Sequence, residues 1–571
     1  MTRADLARLG RTVAYLRPGQ VPYRVRLQLQ QACLRVFPGA ARRALPGPDT
    51  SAAVGWPEGY CPVDALTPDR WPRLPELRAG KITLLGMTRE LGDESYWEHA
   101  DESRLWRFHL HYWDWAWGLA ADPDRLAARA VFARLWRSWQ ASAAFGYGDA
   151  WHPYPAALRA WSWCGLHRDL AVGSDIEPRF VAGLAAHAGF LRRHLEYDVR
   201  GNHLIKGLKA LAGLSVFFAD ERLLRLAMRR LTRQLATQVL GDGGHYERAP
   251  AYHCQVLADL IDIADLLRAA GQPPVGELTE AMDRMRRWLG AVLGPDGRVP
   301  LLNDGYPVSP ELLTALRPVP DPLTLDHPLH LLPSTGLVCA AVDGWHLLAD
   351  VGPPRPQLPL GHAHAGALGC IVHVDGAPLL IDTGTSTYEP GPVRHYERST
   401  AAHNTVEVDG ADSTEVWGAF RAGRRARVSG LAVGGASSGI TCEAAHNGFR
   451  HLPGRPRHGR GWSLTRDGLR VNDLIVGRGR HEIVVRWHLA VGSVVRLNGC
   501  TAVVTTPVGG FGVTVEPRGR VNLTVETRPV ATGFCATADA PVLICRMSAS
   551  LPAGITTTWS RVTGAGGGGT A

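Results

Sequence analysis

The chain has 571 residues, which is too long for one hydrophobic core, so we expect two or three domains. Its formal net charge is +9, but zinc-finger spacing and aromatic RNA-binding patterns are absent, which argues against a nucleic-acid partner. The arginine-rich composition is typical of GC-rich coding, and it also suits a cationic surface that attracts an acidic polysaccharide.

The sequence also bears on the compartment. Ten cysteines occur singly, which favours free thiols in a reducing environment. No apolar run approaches the roughly 18 residues that would span a membrane, so we expect no transmembrane segment. The first residues lack the apolar core of a signal peptide, so we expect a cytoplasmic protein.

In chain order, residues 1–37 predict a basic amphipathic helix, with Leu and Val at helical spacing and Arg on the other face. Such a segment either packs on the main body or contacts a membrane surface. Residues 38–90 are rich in Pro and Gly and predict irregular structure with short elements. We therefore treat 1–90 as an N-terminal segment.

Two domains follow. Residues 91–325 predict Ala- and Leu-rich helices with short Gly, Pro or Asp connections, as in a stack of antiparallel helical hairpins. Residues 326–562 contain short alternating runs separated by DG and NG turns, which predict an antiparallel β-sandwich. A flexible tail is expected at 563–571, and a cleft is expected between the two domains.

The stretch 361–404 carries the clearest chemical signal. His362 and His364 are two residues apart in a strand-like context, where alternate side chains share a face. Asp382 ends the apolar run APLLID, and His403 begins the run HNTVEV. Imidazoles and a carboxylate brought together from neighbouring strands suit a metal site, acid–base catalysis, or both.

The helical half offers weaker signals. AWHPYPAALRAWSW places Trp151 near Arg159, and aromatic residues at this spacing form either core or platforms for sugar rings. RGNHLIKG places Asn202 and His203 at a helix start, where backbone N–H groups favour an anion.

Two further motifs lie later in the helical half. DGGHYERAPAYH opens a helix after a Gly-Gly turn and contains Glu247 and Tyr252. LLNDG, with Asp304, has the composition of a simple turn.

Taken together and in order, these motifs form a family pattern. LWRFHLHYWD, WHPYPAALRAWSW, GNHLIKG, DGGHYERAPAYH, GHAHAGAL, LLIDTGTSTY and RHYERSTAAHNTVEVDG all contribute to it. Over roughly residues 95–465 the chain resembles the heparinase II/III and oligoalginate lyase group of polysaccharide lyases. The resemblance implies an incomplete (α/α) toroid followed by an antiparallel β-sandwich, which agrees with the helix and strand patterns.

The resemblance also implies a carbon–oxygen lyase that cleaves a uronate-containing acidic poly- or oligosaccharide by β-elimination. Asn202 and His203 match the pair that neutralises the uronate carboxylate. Tyr252 matches the general acid, or base and acid in turn. His362 matches the base for one C5 epimer.

The same resemblance implies supporting residues. A zinc ion that orders the site would be held by His364, Asp382 and His403. Glu247, Tyr396 and Arg398 would support the site or contact substrate, and Arg159 and Trp151, from the aromatic motif, are further candidates for contacts with the sugar. One departure stands out, because Gly366 occupies the position of the acid in the family's usual His-x-His-x-Asp.

Two alternatives stay open. A toroid glycoside hydrolase would need two facing carboxylates, for which Glu247 and Asp304 are the candidates. A non-catalytic acidic-glycan binding protein of envelope polysaccharide biosynthesis would keep the fold without turnover. A homodimer is also left open by the sequence.

Overall fold

The computed structural model describes residues 3–66, 71–91, 97–98, 101–324, 326–352, 360–436 and 438–562. A helical domain comes first and a sheet-rich domain second, as the sequence predicts. The predicted tail at 563–571 lies outside the described residues.

The helical domain consists of paired helices with short connections. Its α-helices are α1 (Arg3–Val13), α2 (Gln20–Val36), α3 (Pro38–Ala44), α4 (Leu74–Arg78), α5 (Arg104–Tyr112), α6 (Trp117–Ala120), α7 (Arg125–Ser142), α8 (Pro153–Leu166), α9 (Glu177–Arg193), α10 (Gly201–Phe217), α11 (Glu221–Gln238), α12 (Pro250–Ala269), α13 (Gly276–Val292) and α14 (Pro310–Leu316). Helices α8, α10 and α12 are buried on nearly all sides, and α10 packs against α8, α9, α11 and α12. Helix α10 is therefore the central wall of the toroid.

Local sequence explains where several helices begin. The side chain of Ser103 accepts a hydrogen bond from the backbone of Trp106 and caps α5. Asp124 and Asp220 cap α7 and α11 in the same way. Such caps satisfy backbone N–H groups that have no partner within the helix.

The N-terminal segment is not a separate unit. Leu34, Trp56 and Ile82 belong to the same hydrophobic cluster as the toroid helices. A small hairpin of β1 (Lys81–Leu84) and β2 (Met87–Glu90) also packs there. Residues before 91 therefore complete the core of the helical domain.

The second domain is built from antiparallel strands. They are β3 (Leu329–Leu332), β4 (Leu337–Val342), β5 (Trp345–Asp350), β6 (Cys370–Val374), β7 (Ala377–Leu380), β8 (Val406–Val408), β9 (Val416–Trp417), β10 (Arg421–Ala422), β11 (Val428–Ala436), β12 (Gly439–His446), β13 (Arg457–Thr465), β14 (Gly468–Val476), β15 (Arg480–His488), β16 (Val494–Asn498), β17 (Thr501–Thr506), β18 (Gly509–Pro517), β19 (Val521–Gly533), β20 (Ala536–Ser550) and β21 (Ala553–Arg561). A short helix, α15 (Pro392–Arg398), interrupts them.

The strands form a sandwich. One layer is an eight-stranded sheet in the order β11-β12-β13-β14-β21-β18-β17-β16. The other combines a five-stranded sheet, β3-β4-β5-β6-β7, with a four-stranded sheet, β19-β20-β15-β8. A single hydrophobic cluster between the layers draws side chains from all three sheets. Within the described residues, no helix is long and apolar enough to cross a membrane.

Candidate active site

Asp304 lies at the centre of the site, on the loop between α13 and α14. Its carboxylate accepts hydrogen bonds from Nδ1 of His362 at 2.8 Å and Nε2 of His364 at 2.7 Å. The guanidinium of Arg394 donates to both oxygens, at 2.6 and 2.9 Å. Burial disfavours the charged carboxylate, but Arg394 and the imidazoles outweigh burial and hold the pKa of Asp304 well below its usual value. Asp304 is therefore an ionised, fully engaged anchor.

His362 is oriented by this anchor. Because Asp304 is ionised, Nδ1 of His362 donates the proton of this hydrogen bond, which leaves Nε2 as the ring nitrogen that could exchange a proton with a ligand. Nε2 lies 4.0 Å from Oε1 of Glu247 on the helical domain. The ring of Tyr252, also on the helical domain, packs against the imidazole at an interplanar angle of 32°, with 3.9 Å between centroids. The structure thus brings His362, Tyr252 and Glu247 together across the domain boundary.

Tyr252 is a neutral phenol at ordinary pH. Its hydroxyl hydrogen-bonds the hydroxyl of Tyr388 at 2.7 Å. Burial raises the pKa of Tyr252 well above its usual value, and the neighbouring Tyr388 and Tyr306 raise it further. This environment suits a proton donor, because ionisation to a phenolate is disfavoured.

Asn202 and Glu247 form a second contact inside the helical wall. The amide Nδ2 of Asn202 lies 3.1 Å from Oε2 and 3.3 Å from Oε1 of Glu247. Gly201 makes this approach possible: its φ is +57°, and a Cβ there would come within 1.8 Å of Oε1 of Glu247. Asn202 thus begins α10 with its amide donors already pointed at a carboxylate.

His203 lies on the next position of α10 and is paired differently. Its Nδ1 hydrogen-bonds Oε2 of Glu196 at 3.0 Å, and its ring packs on Tyr154 with centroids 4.2 Å apart. Burial disfavours the imidazolium, but the carboxylate of Glu196 outweighs burial and raises the pKa of His203. His203 is therefore readily protonated, as a charge partner for an anion should be.

The predicted zinc ligands are neighbours with incomplete hydrogen bonding. His403 Nδ1 bonds Oδ2 of Asp382 at 2.9 Å, and the rings of His364 and His403 lie 5.3 Å apart. Within the described residues, Nδ1 of His364 and Nε2 of His403 are buried without a hydrogen-bond partner. Burial lowers the pKa of His364 to about 4, so it is neutral at pH 7 as a metal ligand must be.

These donors suit zinc chemically, but they are not gathered around one point. The described residues contain no group of three or more His, Cys, Asp or Glu side chains placed to hold a metal ion. Gly366 supplies no ligand where the family usually has an acid. The space beside it is also narrow, since a Cβ at Gly366 would come within 3.0 Å of Cγ of His403. Zinc binding by His364, Asp382 and His403 stays a prediction.

The predicted sugar platform lies in the core instead. Arg159 is fully buried, and its guanidinium donates to Nε2 of His187 at 3.1 Å and to the carbonyl of His111 at 3.0 Å. Trp151 is buried as well and stacks on the ring of His187, 4.5 Å away. The structure places neither side chain with Tyr252 and His362, and both stabilise the helical packing.

Tyr396 and Arg398 surround the histidine loop. Arg398 is buried and donates to the carbonyls of Ala363 at 3.2 Å and Gly418 at 3.1 Å, so it holds the loop in place. The hydroxyl of Tyr396 hydrogen-bonds Nε2 of His488 at 3.3 Å. In these positions both residues contact protein groups around the site and stabilise its loops.

The expected strand geometry of His362 and His364 is wrong. Residues Leu360–His362 form a single 3-10 turn, and residues 363–369 lie outside any strand. The two imidazoles still converge, because both bind Asp304. Convergence therefore comes from a shared carboxylate rather than from the alternation of a strand.

Two residues of the site, Tyr388 and Arg394, are not singled out by the sequence, and Asp304 is expected there only as a turn residue or a hydrolase carboxylate. Asp304 stands in LLNDG, whose composition indicates a turn, and the one signal for a buried carboxylate there is that Gly366 leaves the family's usual acid position empty. Tyr388 and Arg394 lie inside the motifs LLIDTGTSTY and RHYERST. No pattern in the sequence distinguished them from their neighbours.

Comparison with known proteins agrees with the architecture. The heparinase II/III N-terminus family matches residues 94–318, and the heparinase II/III-like C-terminal family matches residues 324–544. Together the two matches include most of the chain and all of the site described above. The chain belongs to the heparinase II/III-like family.

Individual proteins share the sequence or the fold. FtsZ-localized protein C of Caulobacter vibrioides is 28% identical over 432 residues, which are 73% of this chain and 71% of that protein. The crystal structure of heparinase III superposes with a TM-score of 0.71 at 16% identity, covering 85% of this chain and 80% of that chain.

Two further polysaccharide lyases share the fold. A mutant of the heparan sulfate lyase HepC from Pedobacter heparinus matches with a TM-score of 0.60 at 16% identity, covering 94% of this chain and 91% of that one. The chondroitin AC lyase of Streptomyces coelicolor A3, solved with chondroitin sulphate, matches with a TM-score of 0.57 at 14% identity, covering 88% and 81%. The predicted toroid and β-sandwich are confirmed.

Proposed function

We propose that this protein is a polysaccharide lyase that cleaves uronate-containing acidic glycans by β-elimination. The observation that carries the proposal is the contact between His362 and Tyr252, whose rings lie 3.9 Å apart across the domain boundary. Asp304 engages Nδ1 of His362 and leaves its Nε2 for the substrate, and Tyr252 is a phenol that keeps its proton. An elimination needs such a base and such an acid on one sugar ring.

In the proposed reaction, Nε2 of His362 removes the proton from C5 of the uronate. The electron pair forms the C4–C5 double bond, the C4–O bond breaks, and the leaving oxygen takes the proton of Tyr252. Tyr388 lies 2.7 Å from the Tyr252 hydroxyl and can return a proton to it. When the product leaves, the imidazolium of His362 releases the C5 proton to solvent and Tyr388 regains a proton from solvent, so each proton has a source and a destination.

Asp304 makes His362 a better base. It holds the Nδ1–H tautomer and stabilises the imidazolium that forms when Nε2 takes the C5 proton. Glu247 lies 4.0 Å from Nε2 and adds a second negative charge beside the new cation. The flanking carboxylates thus offset part of the cost of protonating a half-buried imidazole.

The uronate carboxylate would be received by Asn202 and His203. Charge that develops on this group must be neutralised for C5 to lose its proton. Asn202 supplies N–H donors, and His203 supplies positive charge because Glu196 raises its pKa. Glu247 occupies the Asn202 amide in the free protein, so substrate binding would require this contact to be exchanged. A zinc ion on His364, Asp382 and His403 would add positive charge behind Asp304.

The glycoside hydrolase alternative fits the geometry less well. A hydrolase needs one carboxyl group that holds a proton for the leaving oxygen. Asp304 is held ionised by Arg394 and has both oxygens engaged. It therefore has no proton to donate as the acid opposite Glu247, and its oxygens, bound to His362, His364 and Arg394, are poorly placed to act as the base or nucleophile if Glu247 were the acid.

A panel of heparan, chondroitin, hyaluronan, alginate and glucuronan oligomers tests the proposal. We expect ultraviolet absorbance from an unsaturated uronate with at least one of them, and product masses without added water. Tyr252→Phe should lower kcat by about 10²–10⁴-fold, whereas Tyr147→Phe, at the surface, should leave it unchanged.

The same panel separates the alternatives. Products that contain one added water would replace the lyase with a hydrolase. Glycan binding without any turnover, unchanged in a Tyr252→Phe, His362→Ala double variant, would favour the non-catalytic binding protein.

A second proposal rests on the curated relative. Because FtsZ-localized protein C shares 28% identity over most of its length, we propose that this chain also assembles where FtsZ does. Purified protein should then co-sediment with FtsZ filaments in the presence of GTP and remain soluble with GDP. Equal recovery in both conditions would contradict this second proposal without affecting the first.

A further inference from the structure

The positive charge of the chain is concentrated at its N-terminus. Residues 1–48 contain nine arginines and one aspartate, so they carry +8 of the formal net charge of +9. The remaining 523 residues are close to neutral, by subtraction from the same total of 571. A local excess of this size attracts an anionic surface.

Helix α2, within this segment, turns apolar side chains toward solvent. They are Val21, Val25, Leu29 and Val36, with exposed fractions of 49%, 48%, 62% and 64%. At 3.6 residues per turn these positions fall within an arc of roughly 80° and form one continuous stripe. The buried residues of α2, Leu27 and Leu34, lie on the opposite side.

The stripe is held outward by specific contacts. The hydroxyl of Tyr23 donates to the carbonyl of Leu195 at 2.5 Å, and the amide of Gln20 donates to the carbonyl of Asp198 at 2.7 Å. These bonds fix the rotation of α2 on the helical domain. The apolar face is therefore a stable feature of the folded surface.

Arginines lie beside the stripe. Arg24, Arg26 and Arg35 on α2 are exposed, and so are Arg42 and Arg43 on α3. Phe37, between the two helices, is 64% exposed and extends the stripe. A helix with an apolar stripe flanked by basic side chains is typical of proteins that lie in the headgroup region of a bilayer.

We propose that residues 3–43 dock this protein on an anionic lipid surface. The apolar stripe would enter the boundary between headgroups and acyl chains, and the arginines would contact acidic headgroups. The charge of the segment favours an anionic lipid surface over a second copy of the chain. In a dimer through this face, two segments that each carry +8 would lie against each other and repel. The proposal is independent of the lyase activity.

Docking would also orient the active site. In α1, Arg11 forms a two-pronged salt bridge with Glu415 of the second domain, at 2.6 and 2.8 Å. Helix α2 packs on residues 195–198, immediately before the start of α10. The basic segment therefore contacts both domains and would fix their distance from the lipid.

Vesicle flotation with the full chain tests the proposal. Vesicles of phosphatidylglycerol and phosphatidylcholine should carry the protein upward, and vesicles of phosphatidylcholine alone should bind at least tenfold more weakly. Replacing Arg24, Arg26 and Arg35 by Gln should weaken binding by about 100-fold, since each basic residue near an anionic surface contributes about 1 kcal/mol.

A matched charge control is available. Arg268, Arg298 and Arg466 have highly exposed side chains elsewhere on the surface. Their replacement by Gln removes the same charge and should leave binding within about twofold of the parent. If both triple variants lose binding equally, net charge rather than the N-terminal segment is responsible, and the proposal fails.

The apolar stripe has its own test. Val25→Ser, Leu29→Ser and Val36→Ser together should abolish flotation, while Val491→Ser, Val494→Ser and Val508→Ser, at exposed sites of the second domain, should not. Absence of binding to anionic vesicles by the parent would overturn the proposal. So would a parent dimer in sedimentation velocity that the stripe variant dissociates, since the face would then be covered by a second copy.

Discussion

Asp304 and Asp382 are both buried carboxylates that orient histidines, and they are used in opposite ways. Asp304 is saturated, with two imidazoles and a bidentate guanidinium on its oxygens. Asp382 binds His403 at 2.9 Å and accepts one longer hydrogen bond, of 3.4 Å, from the backbone N–H of Gly384. Two imidazole nitrogens near Asp382 lack a partner within the described residues.

The difference shows which centre is complete in the protein alone. Asp304 needs no ion, because Arg394 supplies the balancing charge and His362 is left in the tautomer that a base requires. The Asp382 centre leaves buried polar atoms unsatisfied, and each such atom costs about 1–3 kcal/mol. A bound ion would therefore stabilise the fold at the Asp382 centre. The Asp304 centre is already satisfied by protein groups.

Breaking the Asp304 centre should have the largest effect. Asp304→Asn leaves the buried guanidinium of Arg394 without its counter-ion, which should lower the free energy of unfolding by about 3–5 kcal/mol. The base would also lose its orienting carboxylate, so kcat should fall by about 10³–10⁴-fold. Denaturant unfolding and product absorbance measure the two effects.

His362→Gln is the companion variant if Asp304→Asn does not fold. It removes the base and leaves Arg394 paired with Asp304. We expect the same loss of kcat with a much smaller loss of stability. A rate near that of the parent would exclude His362 as the base.

Added zinc tests the Asp382 centre, which we expect to bind the ion. We expect added zinc at 100 times its Kd to stabilise the parent by about 2.7 kcal/mol and to raise Tm accordingly. His403→Ala removes one of the two unpartnered nitrogens and should show no zinc-dependent shift. Elemental analysis of both purified proteins provides the zinc stoichiometry. If zinc does not raise the Tm of the parent, the zinc prediction is wrong.

Restoring the family's acid should not repair the Asp382 centre. In Gly366→Asp the new Cβ would press on His403, with a contact of 3.0 Å to Cγ. Overpacking of this kind costs about 1–3 kcal/mol. Gly361→Asp is the control, because its Cβ would meet nothing closer than 4.0 Å. Equal Tm values for the two variants would show that the space beside His403 is larger than described.

Tyr388→Phe should have a smaller effect on the acid side. The change removes one hydrogen bond from the Tyr252 hydroxyl, worth about 0.5–1.5 kcal/mol, so kcat should fall by about 3–10-fold. KM should stay constant, because in the proposed mechanism Tyr388 contacts Tyr252 and does not contact the substrate. A loss as large as that of Tyr252→Phe would make Tyr388 the proton donor itself.

Acid should weaken the fold gradually through His364. In the unfolded chain a histidine takes up its proton near pH 6.5, whereas burial lowers the pKa of His364 in the folded state to about 4. The unfolded state therefore binds more protons between pH 6.5 and 4, and stability falls as pH falls through that window. His364→Asn should make Tm less steeply dependent on pH there.

Asp304 acts in a different window. Its folded pKa lies well below its usual value, so the stability it contributes is present at neutral pH and is lost only when pH falls below the range of an ordinary aspartate. Between pH 6.5 and 4 the Asp304→Asn variant should have a slope at least as steep as the parent, because losing this carboxylate removes a group that raises the pKa of His364. A flatter slope in this variant would show that Asp304 takes up protons in the same window as His364.

Much of the fold was predictable from local sequence. Apolar spacing and helix caps such as Ser103 determine the helical half, and alternation with DG and NG turns determines the sandwich. The motifs around Tyr252, Asn202 and His362 also indicated the family, because each is a short run of unusual residues. The sequence did not show that residues 1–90 belong to the helical domain. Leu34 and Trp56 join the core of that domain through long-range packing, which local sequence does not reveal.

The roles within the site were decided by tertiary structure. A carboxylate that looks like part of a turn in LLNDG becomes the anchor of two histidines only when the second domain packs against its loop. Arg159 looks like a sugar contact in sequence and is buried because its neighbours on α8 face the core. The sequence by itself determined the two domains and the residue types of the cleft. Only the folded chain determined which carboxylate is charged, which imidazole is free and which apolar face of α2 meets solvent, because burial and charge partners come from distant segments.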